Sequence, residues 1–401
     1  MGEMNCRSCG AANLKQILSL GNMPLANGLL NKPTDYEDTY PLELVFCPEC
    51  ALVQITETVD PVKLFTDYKY YSSGSKTMLK SAADLVEQTI QRKLLGEDSL
   101  VIEIASNDGY LLKNYVAVDI PVFGIDPCME IAKYAKRVNN VNTGMDYFSL
   151  AFAKSLNYKA DVIHANNIMA HMGDLNDVAE GIAYLLKPDG IVIIETPYVK
   201  DMIDKVEFDT IYHEHLCYYS LMSLIHLFNR HGMSIMDVEH LDIHGGSLRV
   251  TAGKSPKIIR DSVSDLLATE MMTVDDYGYY EYFGRRVEVL KKDLFDTLYG
   301  LKLQGKRISG YAASAKGSIL MNYCGIGEFL NYVVDNTPAK QGLYTPGTHL
   351  KIYPPEKLLE DQPDYALILA WNFADEIMSH EQEYIKRGGK FIIPVPKVSI
   401  L

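Results

Sequence analysis

The sequence predicts an α/β protein with two doubly wound, mostly parallel sheets behind a small metal-stapled module. Three observations predict it. Short apolar runs alternate with helical stretches between residues 100 and 195, the alternation resumes between 307 and 393, and two tight cysteine pairs lie within the first 50 residues. At 401 residues, and with roughly 150 per domain, two or three domains are expected. A 47% hydrophobic content is ample for their cores.

The module comes first. Cys6-Arg-Ser-Cys9 and Cys47-Pro-Glu-Cys50 are both C-x-x-C, with 37 residues between the pairs. Each two-residue spacer lets the chain turn two thiolates toward one metal, and four sulfurs complete the closed tetrahedron of a structural zinc site. A redox motif needs one pair, not two. Disulfides do not fit a chain that opens MGEMNCRSCG with no apolar signal core. Cys6, Cys9, Cys47 and Cys50 are therefore expected to bind zinc and to help the module fold. Residues 1–70 otherwise carry turn formers and no long helical periodicity. Cys128, Cys217 and Cys324 are isolated and are expected as buried small hydrophobes.

Residues 77–95, TMLKSAADLVEQTIQRKLL, have the spacing of an amphipathic helix bridging into the next domain. The runs 100–105, 122–126, 162–165 and 191–195 then have the length and composition of buried parallel strands. A long helical stretch over 270–304 separates them from the runs 307–312, 330–335, 365–370 and 390–393. These form a second, smaller Rossmann-like unit. The expected division is 1–70, 71–255 and 256–401, with no sequence repeat and no low-complexity tract.

Thirty-eight basic against 52 acidic side chains give a net charge of −14, which disfavours nucleic-acid polymers and anionic lipid. No window approaches the roughly 20 apolar residues of a membrane span. A cytoplasmic protein is expected, with a monomer favoured.

The segment VIEIASNDGYLL runs an acid-bearing apolar strand into a small-residue turn and a helix start. Ala105, Ser106, Asn107, Asp108 and Gly109 would let a ligand approach the backbone at the carboxyl end of the first strand. The second strand ends in Asp126, 23 residues beyond Glu103, where a carboxylate can accept both hydroxyl protons of an adenosine ribose. The turn lacks G-x-G-x-x-G, which argues against a dinucleotide pyrophosphate. The arrangement resembles the first motifs of class I S-adenosylmethionine-dependent methyltransferases.

Two dense polar segments follow the later strands. One is HANNIMAHMGDL, with Asn166, Asn167 and His171; the other is FDTIYHEHLCYYS, with Tyr212, His213, Glu214 and His215 in a row. In a strand the four would alternate faces and in a helix Tyr212 and His215 would share one, so at least two can converge on a pocket. A polar surface turn and a second metal site are the alternatives. A histidine there suits general-base work near neutral pH.

In chain order, the two C-x-x-C pairs around LSLGNMPLANGLL, then YKYYSSGS, EIASNDGYLL, ANNIMAHM, YHEHLCYYS, HGGSLRV, GYAASAKGSILMNY and VVDNTPAKQG resemble the sugar C-methyltransferases of deoxysugar biosynthesis. Those enzymes methylate C3 of nucleotide-linked 4-keto-6-deoxysugars. The resemblance spans nearly the whole chain. It implies a zinc-binding module, a class I methyltransferase Rossmann-like domain, and a C-terminal Rossmann-like domain that helps hold the nucleotide sugar. It implies S-adenosylmethionine as donor, with Glu103, Ala105, Asn107, Asp108, Asp126 and Asn166 toward it. It makes His215 the base for the C3 proton and places Tyr212, Glu214, His171 and Tyr70 around it; Tyr68 and Tyr71 stand as alternatives to Tyr70. Asn167, His244, Arg249, Lys316 and Asn336 are the candidate substrate contacts, while Trp371 is read as packing. No catalytic metal is expected, since a sulfonium already makes its methyl electrophilic.

Two departures stand out. Ala105 replaces the usual glycine, and Lys351 replaces a more usual proline. An O-methyltransferase acting on a sugar hydroxyl, and a non-catalytic scaffold, are the rival readings.

Overall fold

The computed structural model describes residues 4–65, 71–74, 76–243, 245–254 and 258–401. Near the N-terminus β1 (Lys15–Pro24), β2 (Thr39–Phe46) and β3 (Val53–Ile55) form an antiparallel meander. The sequence shows only turn formers there, because register shifts between Gln16 and Leu18 and between Ser19 and Asn22 break the two-residue alternation that marks a strand. Leu42, Leu44 and Phe46 of β2 point into the core.

The central sheet begins with β4 (Val101–Ile104), β5 (Val122–Ile125), β6 (Thr143–Gly144), β7 (Ala160–Asn166) and β8 (Leu186–Pro197), all mutually parallel. Next, β9 (Cys217–Tyr218) leaves this sheet and pairs with β3, so the first sheet is completed by a strand from the middle of the chain. The antiparallel hairpin of β10 (Ser234–Leu241) and β11 (Ser247–Gly253) then closes the central sheet beside β8, in the order β10-β11-β8-β7-β4-β5-β6. The winding reverses between β4 and β7, which opens a crevice at their carboxyl ends. The expected amphipathic helix is present as Lys76–Lys93.

The third sheet contains β12 (Ile308–Tyr311), β13 (Val333–Val334), β14 (Ile352–Tyr353), β15 (Tyr365–Ile368), β16 (Lys390–Ile393) and β17 (Ser399–Ile400), in the order β14-β13-β12-β15-β16-β17. All pairs are parallel except β16 with β17. The run expected as a strand over 330–335 pairs regularly only at Val333–Val334, because a 3-10 turn occupies Gly327–Phe329 just before it.

Of the helical stretch expected over 270–304, Tyr277–Leu303 is helix; a separate helix, Asp261–Glu270, precedes it and the chain between them is not helical. Asp276 starts the second one by accepting from the Gly278 amide, while the buried Glu270 turns away to accept the amides of Leu221 and Met222 at 2.8 Å each. The long helix buries Tyr280, Phe283, Val287, Leu290, Leu294, Leu298 and Leu301 at helical spacing. Its Tyr280 ring lies 4.7 Å from Phe46 of β2. One apolar core therefore runs from Cys6 and Leu42 through Ile104 and Ile194 to Ile319 and Ile392. Among the described residues no helix is long and apolar enough to cross a membrane.

Candidate active site

A cavity of about 870 Å³ occupies the crevice at the carboxyl ends of β4, β5, β7 and β8. On one side its wall is the turn after β4. Ala105, Asn107 and Gly109 have φ of +55°, +48° and +76°, so the glycine-rich pattern usual here reflects a left-handed backbone that Ala105 adopts under strain. Asp126 ends β5 with both carboxylate oxygens anchored, one accepting from the Asn107 amide at 3.0 Å and the other from the Cys128 amide at 2.9 Å. Burial raises its carboxyl. Cys128 is half-buried on the cavity wall rather than in a core, because it caps the helix Met129–Asn139; Cys217 and Cys324 are buried as expected.

Two of the expected donor contacts do not reach the cavity. Glu103 lies in mid-strand on the sheet face of Val101, fully buried, and burial pushes it well above the usual carboxylate range. Asp108 faces the chain before the helix Lys76–Lys93, where its Oδ2 accepts from the Ser73 amide at 3.2 Å. Both support the turn from behind. Asn166 and Asn167 do line the cavity, and each holds a buried side-chain oxygen with no partner among the described residues.

The opposite wall is the Tyr212–His215 segment, which is a turn and neither strand nor helix. Its closing bond, His215 amide to Tyr212 carbonyl at 2.9 Å, stacks the two side chains with ring centroids 4.1 Å apart. His215 Nδ1 lies 3.0 Å from the Thr210 carbonyl, which can only accept, so Nδ1 carries the hydrogen and Nε2 the lone pair. Tyr212 Oη meets that lone pair at 2.9 Å. Burial, then the neighbouring His171 and Lys316, hold His215 well below the ordinary histidine range. The Leu216 amide donates to the Ala170 carbonyl at 2.7 Å, and this brings the His171 ring within 5.0 Å of His215.

Glu214 is buried, and burial pushes it up to about 7. Its Oε1 accepts from Asn27 Nδ2 at 2.7 Å. His213 turns away from the cavity, with Nε2 3.2 Å from the Pro41 carbonyl and its ring edge-on to Tyr40. The two histidines thus serve different surroundings and do not form a second metal site.

Lys316 follows the Ser314 cap of the helix Ala315–Cys324 and lines the cavity. Its Nζ lies 4.0 Å from Glu207 Oε2 and 4.6 Å from the centre of the Trp371 ring. Trp371 both packs and donates, its indole nitrogen reaching Asp209 Oδ2 at 2.6 Å. Arg249 is not on this wall. It points to the other sheet face, paired with Glu195 at 2.7 Å and Glu239 at 3.1 Å, because odd-numbered positions of β11 face away from the cavity. Asn336 is exposed beyond β13, also outside the cavity. Tyr68, Tyr70 and His244 lie outside the described residues.

Asn27, Glu207 and Asp209 line or support the site without having been expected. Glu207 and Asp209, two acids between Val206, Phe208 and Ile211 just ahead of the polar quartet, were a usable signal; Asn27, in LSLGNMPLANGLL, offered only its motif.

In the N-terminal module the four cysteine sulfurs lie within 4.8 Å of one another, with Cys6 to Cys50 and Cys9 to Cys47 both 3.5 Å. Tetrahedral zinc at about 2.3 Å per bond sets sulfurs about 3.8 Å apart, so the cluster fits that ion. The four-sulfur donor set and its spacing are those of a structural zinc site, where the bound cation holds the thiolates together.

Three family models match the chain: "Putative zinc binding domain" over residues 6–65, "Methyltransferase domain" over 76–238 and "C-methyltransferase C-terminal domain" over 242–396. C-methyltransferase NovU of Streptomyces niveus is 33% identical over 409 aligned positions, covering 99% of this chain and 96% of that protein. The chain belongs to the C-methyltransferase family. Among solved structures, an S-adenosylmethionine-dependent methyltransferase from Clostridium acetobutylicum aligns at 11% identity over 49% of this chain and 96% of its own, with a TM-score of 0.36. The magnesium protoporphyrin IX methyltransferase of Synechocystis aligns at 14% identity over 44% of this chain and 79% of its own, with a TM-score of 0.35.

This C-methyltransferase uses S-adenosylmethionine as methyl donor and carries zinc on its four cysteines. The donor side of the cavity fits the first group. Asp126 presents an anchored carboxylate, the turn exposes left-handed backbone, and the oxygens of Asn166 and Asn167 await a donor.

Proposed function

We propose that this C-methyltransferase adds a methyl group to C3 of a nucleotide-linked 4-keto-6-deoxysugar, with His215 as the base. The observation that carries the reading is the lone pair of His215 Nε2 in the cavity wall, fixed by the Thr210 carbonyl behind it. A carbon next to a ketone is acidic because its carbanion delocalises into an enolate. His215 Nε2 takes the C3 proton, and the electron pair moves into the enolate at the 4-oxygen. Tyr212 orients the lone pair and turns its hydroxyl to the sugar, while Glu214, His171 and Tyr70 receive or stabilise the sugar's oxygens. S-adenosylmethionine, when bound, supplies the electrophilic methyl and leaves as S-adenosylhomocysteine.

Ala105, Asn107, Asp126 and Asn166 would face the donor, and Asn167, His244 and Lys316 the nucleotide sugar. The division into 1–70, 71–255 and 256–401 assigns zinc, donor and substrate binding to successive parts of a monomeric cytoplasmic enzyme.

His215→Asn is expected to keep S-adenosylhomocysteine affinity and to lower turnover about 100-fold or more, the usual span of a lost general base. The assay uses dTDP-, CDP- and GDP-linked 4-keto-6-deoxyhexoses in deuterated water. Wild-type enzyme should exchange the C3 hydrogen, and His215→Asn should not. Methyl transfer without any exchange would point to a hydroxyl nucleophile instead.

A further inference from the structure

Asn27 lies in the connection between β1 and β2, yet its amide reaches Glu214 187 positions away, at 2.7 Å. The connection is tied down on both sides. Gly28 and Leu29 donate to the carbonyls of Leu25 and Asn27 at 2.9 Å each, closing a tight turn around Asn27. Leu30 exchanges both backbone hydrogen bonds with Tyr344 of the third sheet's loops, at 2.9 and 2.8 Å. Further along, Glu37 accepts from the Gly347 amide at 3.0 Å and faces His349 at 2.7 Å.

Glu214 is 5% exposed, and a carboxylate so enclosed needs a donor to stay oriented. Both residues line the same cavity. We propose that Asn27 is a positioning residue for methyl transfer: its amide holds the Glu214 carboxyl against the cavity wall in the orientation that meets the sugar. The N-terminal part of the chain is then a builder of the active site as well as a zinc module. The proposal rests on the reading that Glu214 faces the substrate. Burial, which raises Glu214, and the Asn27 bond, which opposes that rise, agree with it.

The test is a double-mutant cycle of Asn27→Leu and Glu214→Leu in full-length zinc-loaded enzyme, assayed with the nucleotide-sugar panel above and titrated with S-adenosylhomocysteine. Asn27→Leu is expected to lower kcat about 10-fold or more, the scale of a lost hydrogen bond to a charged group, with donor KM and S-adenosylhomocysteine affinity unchanged. Asn27→Asp, equal in size but lacking the amide hydrogens, should lose as much. Asn27→Leu should cost little more in the Glu214→Leu background, because either change removes the same hydrogen bond. Independent losses that simply multiply, or a change confined to KM, would overturn the proposal. Wild-type turnover in Glu214→Leu would instead remove the reading of Glu214 beneath it, so the two failures are distinguishable. If no sugar in the panel turns over, a crystal structure of Asn27→Leu decides: a displaced Glu214 carboxyl is expected, and an unmoved one overturns the proposal.

Discussion

Four side chains in a row meet different partners because of where the turn Tyr212–His215 sends them. His215 is kept neutral by burial and His171, so it remains a proton acceptor below the ordinary histidine value of about 6.5. Glu214 and Glu207, both on the cavity wall and both raised to about 7 by burial, are the groups there that change charge near neutrality. The expected kcat/KM profile therefore climbs through a limb near pH 7 as Glu214 ionises, and Glu214→Gln should flatten that limb more than Glu207→Gln does. A limb unmoved in Glu214→Gln would reassign it. The same shift has a sign for stability. The folded chain holds this proton more tightly than the unfolded one, so stability falls as pH rises from about 4.3 toward 7. The histidine and its neighbours were legible from residue type alone. Asn27 was not, because an asparagine in a turn-forming stretch looks the same whether or not a carboxylate lies opposite it.

Turns, more than strands, shape this site. In the hairpin between β10 and β11, Gly245 and Gly246 have φ of +94° and +130°, and a Cβ on Gly245 would run into the Glu207 carboxylate. The glycines thus let the hairpin close over Glu207, with Gly246 on the cavity wall. Gly245→Ala is expected to cost about 1–3 kcal/mol of stability, read by denaturant unfolding. Gly305→Ala, at φ of +72° with open space around it, should cost less, since it carries backbone strain without the collision. Equal costs would show that Glu207 gives way. Among the elements, the parallel strands were legible because buried runs are uniformly apolar. The break at Asp276 and the bulged β1 were not: a cap inside a helical pattern and a bulge inside an alternating one both disguise the period.

The three sheets share one core, and the first is completed by β9, which begins two residues after His215. Val53 pairs with Tyr218 and Gln54 with Cys217, and Cys217 also lines the cavity. Gln54 in turn accepts from the Arg7 amide at 2.9 Å, beside the first cysteine pair. Removing zinc with a chelator is therefore expected to abolish turnover before it weakens S-adenosylhomocysteine binding, because the donor turn belongs to the central sheet. Calorimetry and metal analysis on the same sample check this, and donor affinity lost in parallel with zinc would refute it.

The sequence by itself determined the four-cysteine cluster, the parallel strands, the small-residue turn after β4 and the polar quartet. Each of these depends on residue types at short spacing, which a local turn or a uniformly buried run can satisfy. Only the tertiary structure decided that Glu103 and Asp108 stand behind the turn, that Arg249 pairs with Glu195 on the far sheet face, and that Asn27 holds Glu214. Local pattern encodes whether a residue is buried. Which partner meets it there depends on strand register and on chain contacts across 187 positions, and these exist only once the sheets have packed.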